Sequence, residues 1–166
     1  MNIYELLNKR ISARQYLPDG VQRAVIERIL EGVRISPSAC NKQPWHFIVV
    51  QDKMLKEQVA GGWKWAAEAP YIVVACGRRE EAWVRACDEK NHVDVDIAIA
   101  MQNLVLLATE EGLGTCWICA YDVEQVKEAL KLPVDLEPIA MTPLGVPKTW
   151  EKERIRKDIK DIVEWR

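Results

Sequence analysis

The run over residues 94–111 constrains this chain more than any other stretch. Read as a helix, it carries Ile97, Ala98, Ile99, Ala100 and Met101, then Leu104, Val105, Leu106, Leu107 and Ala108, and is left with almost no polar side. A helix that is apolar nearly all round has to be covered all round. A chain of 166 residues is long enough for one well-buried core and too short for two comfortable domains. The cover therefore comes either from its own domain, residues 1–166, or from a second subunit, and in a chain this small the second subunit is favoured. The expected assembly is a homodimer whose interface buries this central helix.

The other elements read around it. Residues 2–9 form a short helix, and residues 21–36 a longer one with Val25, Ile26, Ile29, Leu30 and Val33 at helical spacing. A turn at Pro18-Asp19-Gly20 precedes the second helix, and Ser36-Pro37 ends it. Residues 47–51 read as a strand and 53–60 as a helix broken by Gly61-Gly62. Trp63 and Trp65 follow, as an apolar lid or as a packed helix. The continuous β-branched run at 71–76 has the signature of a strand buried on both faces. Residues 78–92 read as a short helix or a surface excursion. A strand is expected over 115–121, then a helix over 123–130 opened by a capping box of Asp122 and Gln125. Residues 137–144 form a further strand, and Pro138 and Pro143 place it at a sheet edge. In the tail, Ile155, Ile159, Ile162 and Val163 recur at helical spacing. Helices and short strands mix without strict βαβ alternation, which predicts an α+β fold, a mixed sheet flanked by helices.

Charge and cysteines narrow the partners. A net charge of −2 argues against a general nucleic-acid surface. No run is apolar for long enough to span a bilayer, and the first residues lack the pattern of a signal peptide. Five cysteines without framework spacing fit a reducing cytoplasm.

Most motifs that could carry chemistry fail. Cys116-Trp117-Ile118-Cys119 puts its thiols on opposite faces if the segment is a strand, and zinc would need two further ligands. His92-Val93-Asp94 and Thr115-Cys116 break both halves of a deaminase signature. Gly112-Leu113-Gly114 follows a helix and has Trp117 at the third glycine position of a dinucleotide fingerprint. No metal site and no catalytic acid, base or nucleophile emerges. What survives is a set of ligand-holding groups. Arg10, Ser12 and Arg14 share one face if extended, and Arg10 and Arg14 are neighbours if helical. Two guanidinium groups held together suit a phosphate, or else mark a solvated basic patch. Arg154 and Arg156 make a second basic pair late in the chain. The loop Ser36-Pro37-Ser38-Ala39-Cys40-Asn41-Lys42-Gln43-Pro44-Trp45 is an ordinary connection or a wall of amides for a flat polar ring. Such a set makes sense where a cofactor does the chemistry and the protein orients it.

These residues resemble the nitroreductase family of FMN-dependent oxidoreductases over nearly the whole chain. The resemblance rests on Arg10-Ile11-Ser12-Ala13-Arg14, on the loop at 36–45, and on residues 96–103 with Gly112-Leu113-Gly114-Thr115. It closes on Leu144-Gly145-Val146-Pro147 with Arg154 and Arg156. It implies a homodimer with two FMN sites at the subunit interface, reduced by NADH or NADPH in a ping-pong cycle of hydride transfer. The acceptor would be a small electrophile such as a nitro compound or quinone. Carried over by motif, Arg10, Ser12, Arg154 and Arg156 hold the phosphate, and Arg14 lies nearer the flavin N1 and O2. Pro37, Ser38, Ala39 and Asn41 line the ring and ribityl chain, from the neighbouring subunit relative to some of the arginines. The backbone of Cys119 and Ala120 approaches the N5 edge, where family members often have glycine or an acid instead. Alternatives within the resemblance are a dehalogenase, a flavin-dependent oxidase, and a flavin-binding storage or sensing protein with little turnover.

Overall fold

The computed structural model describes residues 1–18, 20–151 and 153–166. The turn expected at Pro18-Asp19-Gly20 falls partly outside them, at Asp19. Six helices are named here in chain order: α1 (Ile3–Lys9), α2 (Arg23–Arg34), α3 (Lys53–Ala60), α4 (Lys64–Ala67), α5 (Val93–Glu110) and α6 (Val123–Leu130). The strands are β1 (Trp45–Val50), β2 (Tyr71–Gly77), β3 (Val84–Arg85), β4 (Lys90–Asn91), β5 (Gly114–Thr115) and β6 (Glu137–Gly145). Four of them form an antiparallel sheet in the order β1-β2-β6-β5.

Strand β2 explains the layering. Its seven residues are all buried, because strand side chains alternate and both faces are covered. Tyr71, Val73 and Ala75 pack with α2 and α5 on one side. Ile72, Val74 and Cys76 pack with α3, α4 and α6 on the other. On the first side α2 comes very close to α5: a Cβ added at Gly32 would lie 1.9 Å from a Leu107 methyl carbon. Helix α5 buries Val93, Ile97, Ala100, Met101, Leu104 and Val105 within its own chain, yet Val95 and Ile99 remain 44% and 37% exposed. The chain alone covers most of this helix and leaves a strip.

Several local expectations are corrected. Strand β6 is central rather than at an edge, lying between β2 and β5. Its prolines fall where the ladder is already interrupted. Pro138 sits at the bulge facing Ala75 and Cys76. Met141 exchanges backbone bonds with Ile118, while Cys116 N–H turns instead to the Thr142 hydroxyl, 2.9 Å away. Pro143 thus faces a gap between Thr115 and Ile118, where no donor is needed. The strand expected over 115–121 shrinks accordingly to Gly114–Thr115 and a bridge at Ile118. At α6 only half the capping box forms: Asp122 accepts from Gln125 N–H, but the Gln125 amide donates to the Gln58 carbonyl at 2.7 Å. Residues 78–92 contain the small hairpin of β3 and β4. The tail is not a helix beyond one 3-10 turn at Ile159–Asp161. Beyond Trp150 its large apolar side chains are mostly exposed in the single chain: Ile155 is 86% and Trp165 93% exposed. Helices this short depend on packing such side chains.

Candidate functional site

The segment after α1 is extended and fastened on both sides. Ser12 bridges Thr115 in parallel, and Ala13 N–H donates to the Thr115 carbonyl at 2.9 Å. Leu17 N–H reaches the Val146 carbonyl and Lys148 N–H the Gln15 carbonyl, at 2.8 and 3.0 Å. Gly114 permits this crossing, since a Cβ there would meet the Ala13 Cβ at 2.7 Å. Alternation then does the rest. Ile11 and Ala13 are buried, while Arg10, Ser12 and Arg14 face outward together.

The tail returns to this segment. Trp150 packs beneath the Lys9 ammonium, 4.9 Å from the ring centroid. Arg154 donates to the Leu7 carbonyl at 3.1 Å and to the Arg10 carbonyl, so it caps the end of α1. Arg10 donates in turn to the Ser12 hydroxyl at 3.2 Å. Arg10, Arg154 and Arg156 thereby line one cavity of about 750 Å³ with Leu7, Asn8, Gln102, Val105 and Trp117. No carboxylate is among those lining residues. Burial, and then the charges of Arg154 and Arg156, hold the Arg10 guanidinium below its ordinary pKa. Three cations gathered where no acidic residue is among those lining the cavity repel one another, and an anion would relieve that.

A second line of contacts runs from Arg14. Its guanidinium lies 5.8 Å from the Trp65 ring, and Trp65 meets Trp63 edge to face with centroids 6.0 Å apart. The Trp63 indole N–H donates to the Ala120 carbonyl at 2.5 Å. Exposed Cys119 and Ala120 are thus joined to Arg14 by an aromatic strip. Of the two readings the sequence leaves open, the packed helix holds: Trp65 lies in α4 against the core, and Trp63, at its N-cap, ties α4 to the segment after β5.

The loop at 36–45 is tight. Cys40, Asn41 and Gln43 have φ of 51°, 54° and 51°, a left-handed conformation that non-glycine residues seldom adopt. Hydrogen bonds hold it: Gln43 N–H to the Ser38 hydroxyl at 2.8 Å, and the Asn103 amide to the Ser36 hydroxyl at 2.8 Å. The Ala39 N–H donates to Asp96 Oδ1 at 2.9 Å. Pro37, Ser38, Ala39 and Asn41 do not line the arginine cavity. Within one chain, then, Arg10, Ser12, Arg154 and Arg156 come together, Arg14 joins Cys119 and Ala120 through tryptophan, and the loop stands apart. Asp96 opens the stretch at 96–103 that carries the family resemblance, but sequence reasoning gives it no role. Its contact with the loop shows only in the fold.

Fold and site together define an α+β cofactor-binding protein, with an arginine cavity where the chain's two ends meet. The chain belongs to the nitroreductase family: the family's sequence model, described as Nitroreductase family, matches residues 7–61 and 56–146. The fold is that of a nitroreductase family protein from Clostridium difficile, with a TM-score of 0.90, 32% identity and coverage of 99% of this chain and 98% of that one. A Methanothermobacter thermautotrophicus protein provisionally named NADH dehydrogenase/NAD(P)H nitroreductase is 31% identical over 159 residues, 89% of this chain and 78% of that protein. The FMN reductase [NAD(P)H] of Bacillus subtilis is 29% identical over 163 residues, 87% of this chain and 66% of that protein.

Proposed function

We propose that this chain is an FMN-dependent NAD(P)H oxidoreductase that acts as a homodimer and reduces small electrophilic acceptors, nitro compounds or quinones among them. The observation that carries the reading is the convergence of Arg10, Arg154 and Arg156 on one carboxylate-free cavity. A phosphate monoester matches it, because guanidinium groups present planar donor forks to phosphate oxygens. FMN held there would supply two-electron redox chemistry, with a hydride accepted from the nicotinamide and then given to the acceptor in ping-pong order. Arg10 and Arg156 bind the phosphate with the Ser12 hydroxyl, while Arg154 both adds charge and fixes the end of α1. Arg14 would offer a cation to the ring, which would stabilise its reduced, anionic state. The backbone at Cys119 and Ala120 would border the reacting edge, and no side-chain nucleophile would be needed.

The dimer is inferred from the surface that one chain leaves open. Val95 and Ile99 on α5, with Ile155, Ile159 and Trp165 in the tail, expose apolar surface that a second copy would cover. A second copy would also bring its loop, with Pro37, Ser38, Ala39 and Asn41, to a ring anchored at this chain's arginines. Among the described residues no helix is long and apolar enough to cross a membrane. Among the described residues none of the five cysteines is in a disulfide, which suits a reducing cytoplasm.

The test is a visible spectrum of the purified protein, then NADH and NADPH oxidation with a nitroaromatic or quinone acceptor. A yellow protein with steady acceptor-dependent oxidation is expected. A colourless protein that fails to take up FMN overturns the flavin site. A yellow protein without turnover on either nucleotide overturns the reductase and leaves flavin storage or sensing.

A further inference from the structure

We propose that Asp96 is a positioning residue for the flavin, acting from behind the loop at 36–45. The inference rests on the flavin reading and concerns a residue that opens the stretch at 96–103, to which the resemblance assigns no contact with the cofactor and which does not line the cavity. Asp96 lies in the first turn of α5 and is 1% exposed. Its Oδ1 accepts from the Ala39 N–H at 2.9 Å, and its Oδ2 is buried with no hydrogen-bond partner. A half-satisfied buried carboxylate opposes folding rather than supporting it. An apolar residue would serve the core better at this position, next to Val93, Ile97 and Ala100. What the carboxylate does is hold one point of a strained loop.

That point matters because of its neighbours in the chain. Ala39 begins the 3-10 turn whose next residues, Cys40 and Asn41, are left-handed, as is Gln43. Conformations of this kind persist only where surrounding contacts over-determine them. Asn103, seven residues further along α5, holds Ser36 at the loop's other end. Residues seven apart lie on one side of a helix. Helix α5 therefore grips the loop at two points while its exposed strip, Val95 and Ile99, faces away from its own core. Asp96 sets the presentation of Ser38, Ala39 and Asn41 to the flavin ring without touching the ring or the phosphate.

This assignment makes three measurements diverge. Riboflavin shares the ring and ribityl chain of FMN and lacks the phosphate. Asp96→Ala should weaken FMN and riboflavin by the same factor, about tenfold for a lost charge-assisted bond. Its flavin-free melting temperature should stay at or above that of the unaltered protein. Asp96→Asn keeps a carbonyl oxygen facing Ala39 and should restore most of the affinity. Ala39→Pro removes the donor from the other end of the same bond, and proline is tolerated at the first position of a helical turn after an extended residue. Combined with Asp96→Ala it should add little further loss, as expected for two halves of one contact. All are read by quenching of flavin fluorescence with full-length protein, alongside thermal melts.

Unchanged affinity for both flavins in Asp96→Ala overturns the proposal. So does a loss that tracks a lowered melting temperature and is not restored by asparagine, or one that adds fully to Ala39→Pro. Should Asp96→Ala fail to fold, the asparagine and proline variants carry the same contrast. Failure of the unaltered protein to bind either flavin overturns the flavin reading itself, a result distinct from any of these.

Discussion

The arginine cavity and the loop at 36–45 are held in opposite ways. In the cavity the backbone is relaxed and the side chains are in conflict, with three guanidinium groups sharing one space. In the loop the side chains are satisfied and the backbone is strained, with three left-handed residues pinned by hydrogen bonds. The first region gains from a ligand, because an anion removes repulsion already present. The second is held in shape by its own hydrogen bonds, and the role proposed for it is to present that shape. A site made of both has affinity from one and geometry from the other.

The contrast is most severely tested by separating the two regions. Ile99→Glu puts a charge on the exposed strip of α5, and burying it unpaired at an interface should weaken dimerisation by more than about a hundredfold. Size-exclusion chromatography with absorbance detection should show a monomer that no longer retains flavin. A monomer that keeps its flavin would mean one chain suffices. Next in size, Arg10→Ala with Arg156→Ala should lower FMN affinity by more than about tenfold, at roughly 1.5–3 kcal/mol per charge-assisted bond. Riboflavin affinity should be unchanged, and a parallel loss of both would move the arginines away from the phosphate. Arg154→Ala removes both bonds to the end of α1 and should lower stability by roughly 1–3 kcal/mol, together with FMN affinity. A thermal melt unaffected by that change would deny Arg154 its capping role. Smallest of all, Trp63→Phe keeps the ring and deletes the bond to the Ala120 carbonyl. Turnover should fall by no more than about tenfold, given a net hydrogen-bond contribution near 1 kcal/mol. FMN affinity should hold, and a matching loss there would make Trp63 part of the binding site.

The same contrast governs what can be read from the sequence. Strand β2 is legible because both faces are covered, so every residue from Tyr71 to Cys76 has to be apolar or small. The arginine cavity is legible through Arg10 and the late pair Arg154 and Arg156, although neither the turning of Arg14 to Trp65 nor the donors Arg154 spends on backbone carbonyls is. Strand β6 is misplaced from sequence because Pro143 argues for an edge unless one knows that its neighbour breaks off between Thr115 and Ile118. The tail reads as a helix from spacing alone, which cannot reveal that Ile155 and Trp165 are left exposed by their own chain. Asp96 is hidden for a related reason. One acid in an apolar helix carries no spacing, and its meaning depends on Ala39, 57 residues away.

The central claim is that one flavin site takes its charge from one chain and its shape from another. Mixing two defective proteins tests it: Arg10→Ala/Arg156→Ala, which keeps the loop, and Asp96→Ala, which keeps the cavity. Subunit exchange at equal amounts gives mixed dimers in which one site of two is intact, about a quarter of all sites. FMN titration of the mixture should therefore recover tight binding at about that fraction. A mixture that binds only as the average of its two parents would place cavity and loop in the same chain's site and contradict the account.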